Sequence, residues 1–120
     1  MAFSDPQSVT VTGSASSLAR TGSAIGSGSF SSNDGTVSLA VSSAYGKRVR
    51  RTARINLSKI AADPLVSANN IKYSASAFIV VDAPITGFTV AELTTLIHGL
   101  STWLTASSDA NAIKLLGGEN

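Results

Sequence analysis

Arginine carries the chemistry that stands out in this chain. Arg50, Thr52, Arg54 and Asn56 occupy alternate positions in the segment RVRRTARINLSK. A guanidinium presents a planar fork of donors that matches phosphate oxygens two at a time. Hydroxyl and amide donors between two such forks suit a phosphate backbone. Six of the nine Lys and Arg lie between Gly46 and Ile60: Lys47, Arg48, Arg50, Arg51, Arg54 and Lys59. No Asp or Glu occurs between Asp34 and Asp63. The net charge is only +2, so local density rather than the total favours a polyanionic partner.

Other chemistries find little footing. There is no cysteine, which removes disulfides, thiolate metal sites and cysteine nucleophiles. His98 is the only histidine. It lacks partners at catalytic or metal-ligand spacing and reads as a structural or surface residue. The Gly26–Ser29 run GSGS lacks the strand, GK[ST] and helix context of a phosphate loop. Asp63 and Asp82 lie beside prolines and read as turn residues. No enzymatic activity, cofactor or metal is expected.

The arginines need a rigid frame, and alternation supplies one. In Thr36–Ser43, Val37, Leu39 and Val41 fall on one face, and Thr36, Ser38, Ala40 and Ser42 on the other. In the basic segment, Ala53, Ile55 and Leu57 oppose Arg50, Thr52, Arg54 and Asn56. Ser8–Thr12 also alternates, with a turn at Gly13-Ser14 and a hairpin partner at Ser16–Arg20. Thr21–Ser32 is rich in Gly and Ser, and reads as a linker or a weak strand around Ile25–Ser32. Asn33-Asp34-Gly35 and Tyr45-Gly46 are turn signals. Ala61–Asn70 is a loop containing Asp63, Pro64 and Asn69, and Ile71–Asp82 is the longest strand candidate. Short connections make the sheet an antiparallel meander.

The last third is helical. Thr89 and Glu92 have capping-box spacing. Val90, Leu93, Leu96, Ile97, Leu100, Trp103 and Leu104 then follow a helical period. The pattern predicts a helix ending near Ala106, a second short helix capped by Ser108 or Asp109, and a stop at Gly117-Gly118.

The fold class is therefore α+β in one domain of 120 residues. It divides into an N-terminal β-hairpin (1–22), a five-stranded antiparallel sheet (23–84) and two C-terminal α-helices (89–120). One sheet face is apolar; the other is small, polar and basic. About one and a half helices cannot cover the apolar face and also hide their own stripe. Each large side chain left wet forfeits about 1.5–3 kcal/mol. A dimer built through Leu93, Ile97, Leu100, Trp103, Leu104 and a sheet edge recovers that energy and covers the edge. The basic segment has an alternative reading as a solvated edge strand, with Lys47, Arg48 and Arg51 as turn or edge charges. The N-terminus MAFSDPQSVT shows neither a basic start nor an apolar run, so a soluble cytoplasmic protein is expected.

The two ends of the chain carry a resemblance. MAFSDPQSVTVTG at the start and LIHGLSTWLTAS with AIKLLGGEN at the end resemble the coat proteins of single-stranded RNA bacteriophages. The order of hairpin, meander and helices is similar too. The Ser, Ala and Gly richness of the middle departs from the family. The resemblance implies an interlocked dimer with a continuous ten-stranded sheet, the helices of each subunit lying across its partner. It implies assembly into an icosahedral virion shell in a bacterial host's cytoplasm, usually with quasi-equivalent subunits. The implied partners are the chain itself, single-stranded genomic RNA on the inward sheet face, and a single-copy maturation protein; no membrane is involved. An RNA hairpin bound on that face represses translation in the family.

Carried over, the RNA-facing positions are Ser38 and its alternate neighbours on one strand, and Arg50, Thr52, Arg54 and Asn56 on the next. On the last strand, alternation favours Lys72, Ser74 and Ser76, while the family likeness favours Tyr73 as a stacking residue. Asp63, Pro64 and Asn69 belong to the loop that clusters at symmetry axes. The alternative is a dimeric nucleic-acid-binding regulator that never assembles.

Overall fold

Alternation in the sequence becomes strand pairing in the structure. The computed structural model describes residues 3–11 and 15–119. The Gly13-Ser14 turn lies outside the described residues. Among the described residues six strands form one sheet in chain order: β1 (Gln7–Thr10), β2 (Ala15–Ala24), β3 (Ser27–Ser31), β4 (Val37–Ala44), β5 (Arg48–Ala62) and β6 (Asn70–Pro84). The helical element α1 (Val90–Leu116) follows. The chain divides into two compact units, residues 1–82 and 83–120.

The strand count differs from a hairpin plus five strands, and β2 explains the difference. Its residues Ala15–Leu18 pair with β1, and Ala19–Ala24 pair with β3. A register shift between Arg20 and Gly22 interrupts the second half. One long strand thus serves as both hairpin arm and sheet strand. The Gly/Ser-rich segment is not a linker. Ile25-Gly26 makes a two-residue turn with Gly26 at φ +75°, and β3 pairs on both sides. That left-handed conformation is open to glycine at little cost.

The apolar face holds the core of the first unit. Val37 sits opposite Leu57, Leu39 opposite Ile55 and Val41 opposite Ala53. Leu18 and Phe30 are fully buried and Val37 nearly so, packed by Val9, Val11, Leu39, Val41 and Leu57. Arg20 closes one side of this cluster. Its guanidinium lies 4.9 Å from the Phe30 ring centroid and donates to the Phe3 carbonyl at 2.6 Å. Its backbone N–H donates to the Asp5 carboxylate at 3.0 Å. A cation on an aromatic face, still partly open to solvent, can cap an apolar cluster.

The Asn33-Asp34-Gly35 turn forms as expected. The Asp34 carboxylate accepts from the Ser32 hydroxyl at 2.7 Å, and from the Thr36 hydroxyl and N–H at 2.8 and 3.1 Å. These bonds to the charged form, Ser32 first, lower its pKa from an ordinary 3.8 to about 2.

In the second unit, Thr89 caps α1. Its hydroxyl accepts from the Glu92 N–H, and the Glu92 carboxylate accepts from the Thr89 N–H, both at 3.2 Å. Where two helices are expected, the structure has one element with an interruption. Ala106 is extended, and Ser107, Ser108 and Asp109 lie at φ 55°, 57° and 65°. These four non-helical residues kink the element where the first helix is expected to end, near Ala106, and a second to be capped by Ser108 or Asp109. The Asn111 amide donates to the Trp103 carbonyl at 2.8 Å, satisfying an acceptor that the break exposes. No residue of α1 is buried, and Trp103 is 55% exposed. The helix ends at Gly117, and Gly118 takes φ +77°.

Candidate nucleic-acid interface

The polar face is assembled by cross-strand register. Opposite residues in an antiparallel pair share a face. Ser38 faces Asn56, Ala40 faces Arg54, Ser42 faces Thr52 and Ala44 faces Arg50. On the other side of β4, Ser31, Ser29 and Ser27 pair with Ser38, Ala40 and Ser42. The result is a flat field of hydroxyls from β3 and β4 ending in the basic row of β5. The Asn56 amide donates to the Ser38 hydroxyl at 3.4 Å, which leaves most of its hydrogen-bonding capacity free.

β5 is not the sheet edge. It lies between β4 and β6, and β6 is terminal in the order. The solvated-edge explanation of the basic segment therefore does not describe this chain. Arg51, paired with Ser43, falls on the apolar side of β5.

β6 adds two groups that no sequence pattern pointed to. The Arg54 guanidinium lies over the Phe78 ring, 4.4 Å from its centroid. Asp82 is a strand residue rather than a turn residue. One carboxylate oxygen accepts from Arg48 Nε at 3.0 Å, and the other lies 3.8 Å from Arg50 Nε. The side chains of Arg48 and Arg50 remain 55% and 69% exposed. Both contacts place Phe78 and Asp82 on the basic face. Alternation from them puts Lys72, Ser74 and Ser76 on that face, and turns Tyr73 to the opposite one with Ile71 and Ile79. The phase could not be read from Phe78–Val81, because that run is apolar on both faces.

The β5–β6 loop spans residues 63–69. The Asp63 N–H donates to the Asn69 carbonyl at 2.8 Å, and the Asp63 carboxylate accepts from the Leu65 N–H at 2.9 Å. Leu65 and Val66 are exposed in this loop. On α1, the dimer candidates Leu93, Ile97, Leu100, Trp103 and Leu104 are partly or largely exposed. Phe88, Leu93, Leu96, Gly99 and Leu100 line a shallow groove, and a Cβ at Gly99 would meet nothing. His98 is exposed, with Nε2 3.4 Å from the Thr102 hydroxyl. Among the described residues no cluster of acidic or histidine side chains could hold a metal ion. No described helix is long and apolar enough to cross a membrane.

No protein-family model matches the chain, and no curated protein matches its sequence. Solved structures do match it in shape. The virus-like particle of bacteriophage AVE019 superposes with a TM-score of 0.80 at 15% identity, covering 97% of this chain and 96% of that one. The capsid protein of bacteriophage GA gives 0.65 at 15% identity, covering 97% and 95%. An unassembled bacteriophage coat protein dimer, described as RNA-binding, gives 0.58 at 15% identity over 97% and 95%. These neighbours are coat proteins, which are structural and not enzymes. Over nearly its whole length, the chain has the fold of the coat proteins of levi-like RNA bacteriophages.

Proposed function

We propose that the chain is a capsid subunit that dimerises, closes into an icosahedral shell and packages single-stranded RNA. The observation carrying this reading is the full-length likeness to the subunit of a virus-like particle. Physical features agree with it. β6 is a 15-residue terminal strand with nearly every residue exposed. A bare edge of that length invites pairing with a second copy, and a two-fold pairing of β6 with β6 would join two sheets into one. The apolar stripe of α1, unburied in one chain, supplies the second half of the same interface. The shell then faces its RNA with Arg50, Thr52, Arg54, Asn56, Ser38 and Lys72. Asp63, Pro64 and Asn69 carry contacts between dimers, and a single-copy maturation protein joins the virion.

A dimer that stops short of a shell is the second reading, favoured by the unassembled RNA-binding dimer of similar fold. Light scattering on the expressed protein under gentle salt separates the two. The capsid reading predicts a megadalton species containing nucleic acid. A sole species of about twice the 12.2 kDa chain mass would overturn it.

A further inference from the structure

The cationic row of β5 is already occupied at one end. Asp82 uses both carboxylate oxygens, one against Arg48 and one against Arg50. A carboxylate hydrogen-bonded to one guanidinium and within ion-pair distance of a second is in the place a phosphate would take, since both anions offer paired oxygens to the same forks. We propose that Asp82 is a built-in competitor for the RNA backbone. It sets the affinity of the basic face and selects for ligands carrying several linked phosphates. The inference rests on the reading of this face as RNA-binding.

Geometry gives the selection its form. Arg50 and Arg54 are four residues apart on one face of β5, about 13 Å along the strand. With Arg50 turned toward Asp82 and Arg54 resting on Phe78, the two heads suit successive phosphates rather than one. At the Arg54 end no carboxylate lies within ion-pair distance among the described residues, and the guanidinium rests on Phe78. A chain of phosphates can anchor there without competition. Once held, it presents its next phosphates to Arg48 and Arg50 at high effective concentration and displaces Asp82. A mononucleotide anchored at Arg54 has no second phosphate to deliver. All three groups of the Asp82 cluster are solvent-accessible, so the exchange needs no backbone movement.

The test is the salt dependence of binding to an unstructured oligouridylate of about 20 nucleotides. It uses the full chain as wild type, Asp82→Asn, Asp82→Ser and Arg54→Ala. Asn keeps the shape and one acceptor while removing the charge, and Ser is a second neutral variant should Asn disturb the strand. Because bound RNA displaces Asp82 in the wild type too, the number of phosphates held and hence the salt slope, about 0.7 per phosphate on a single strand, should stay close to wild type, while both Asp82 variants bind several-fold tighter at each salt concentration. Uridine monophosphate should gain at least as much, because the freed Arg48 and Arg50 then admit a lone phosphate and the preference for linked phosphates shrinks. Wild-type affinity in both Asp82 variants, with a reduced slope in Arg54→Ala, would overturn the proposal and leave the RNA reading standing. Failure of every form to bind the oligonucleotide would overturn both.

Discussion

Arg54 and Phe78, on adjacent strands of one sheet face, are held with the guanidinium 4.4 Å from the ring centroid. The contact fixes the phase of β6 against β5 and keeps the Arg54 head at the surface. Stacking of this kind at an exposed site contributes about 0.5–1 kcal/mol. It also leaves the edge-on donors of the guanidinium open to a phosphate.

Replacing Arg50 and Arg54 together by Ala should weaken single-stranded RNA binding and flatten its salt slope by about 0.7 for each phosphate that is no longer neutralised. The oligomeric state should not change, because neither residue belongs to the α1 stripe or the β6 edge. Binding measured across a salt series, beside a sedimentation profile, checks both halves. An unchanged slope would place the RNA-binding groups elsewhere.

Phe30 is 1% exposed at the centre of the first unit's core. Truncation to Ala should cost about 3–5 kcal/mol in chemical denaturation, as expected for a large aromatic whose site cannot collapse. An Arg20→Met variant, which keeps the apolar stem but removes the guanidinium bond to Phe3, should cost far less. Equal costs would contradict the division of labour between ring and cap.

The Asp34 turn carries a pH dependence with a definite sign. Its carboxyl titrates at about 2 in the folded chain against an ordinary 3.8. A group depressed in the folded state stabilises fully above the unfolded pKa and loses that contribution as pH falls through the folded one. The turn's support should therefore be intact above about pH 4–5 and gone below about pH 2. Asp34→Asn should remove that acid-side dependence. NMR titration of the carboxyl carbon, with Asn as control, reads the midpoint directly.

Trp103 tests the association surface. It is over half exposed in a single chain. If a partner covers it, Trp103→Ala should cost roughly 3–5 kcal/mol of dimer stability. The first unit's own unfolding should hardly change. A dilution series by fluorescence or sedimentation would show the dissociation midpoint shifting by several orders of magnitude. A monomer–dimer balance identical to wild type would remove α1 from the interface.

Much of this arrangement was legible in the sequence wherever a pattern had a phase. The alternation of Thr36–Ser43 and Arg50–Leu57 predicts both faces, and the observed register pairs them residue for residue. The Thr89 and Glu92 spacing and the Asn33-Asp34-Gly35 turn are local signals, and local bonds honour them. The misses are long-range. Nothing near Asp82 in sequence announces that its partners are Arg48 and Arg50, 34 and 32 positions away. β6 is apolar on both faces at Phe78–Val81, so its phase awaited the Arg54 contact. Arg20 is a lone cation in a Ser-rich strand, and only folding brings it over Phe30. The break at residues 106–109 falls where the pattern ends one helix near Ala106 and caps the next at Ser108 or Asp109; only its three consecutive positive-φ residues, none of them glycine, had no local signal.

The central claim is a two-sided layer, with the arginine face turned to packaged RNA. Cryo-electron microscopy of the assembly purified from expressing bacteria tests it most directly. The account predicts closed icosahedral particles with nucleic-acid density inside, and with Thr52, Arg54 and Phe78 lining the lumen. Isolated dimers with no closed shell, or a shell whose Arg54 points to the outside, would contradict it.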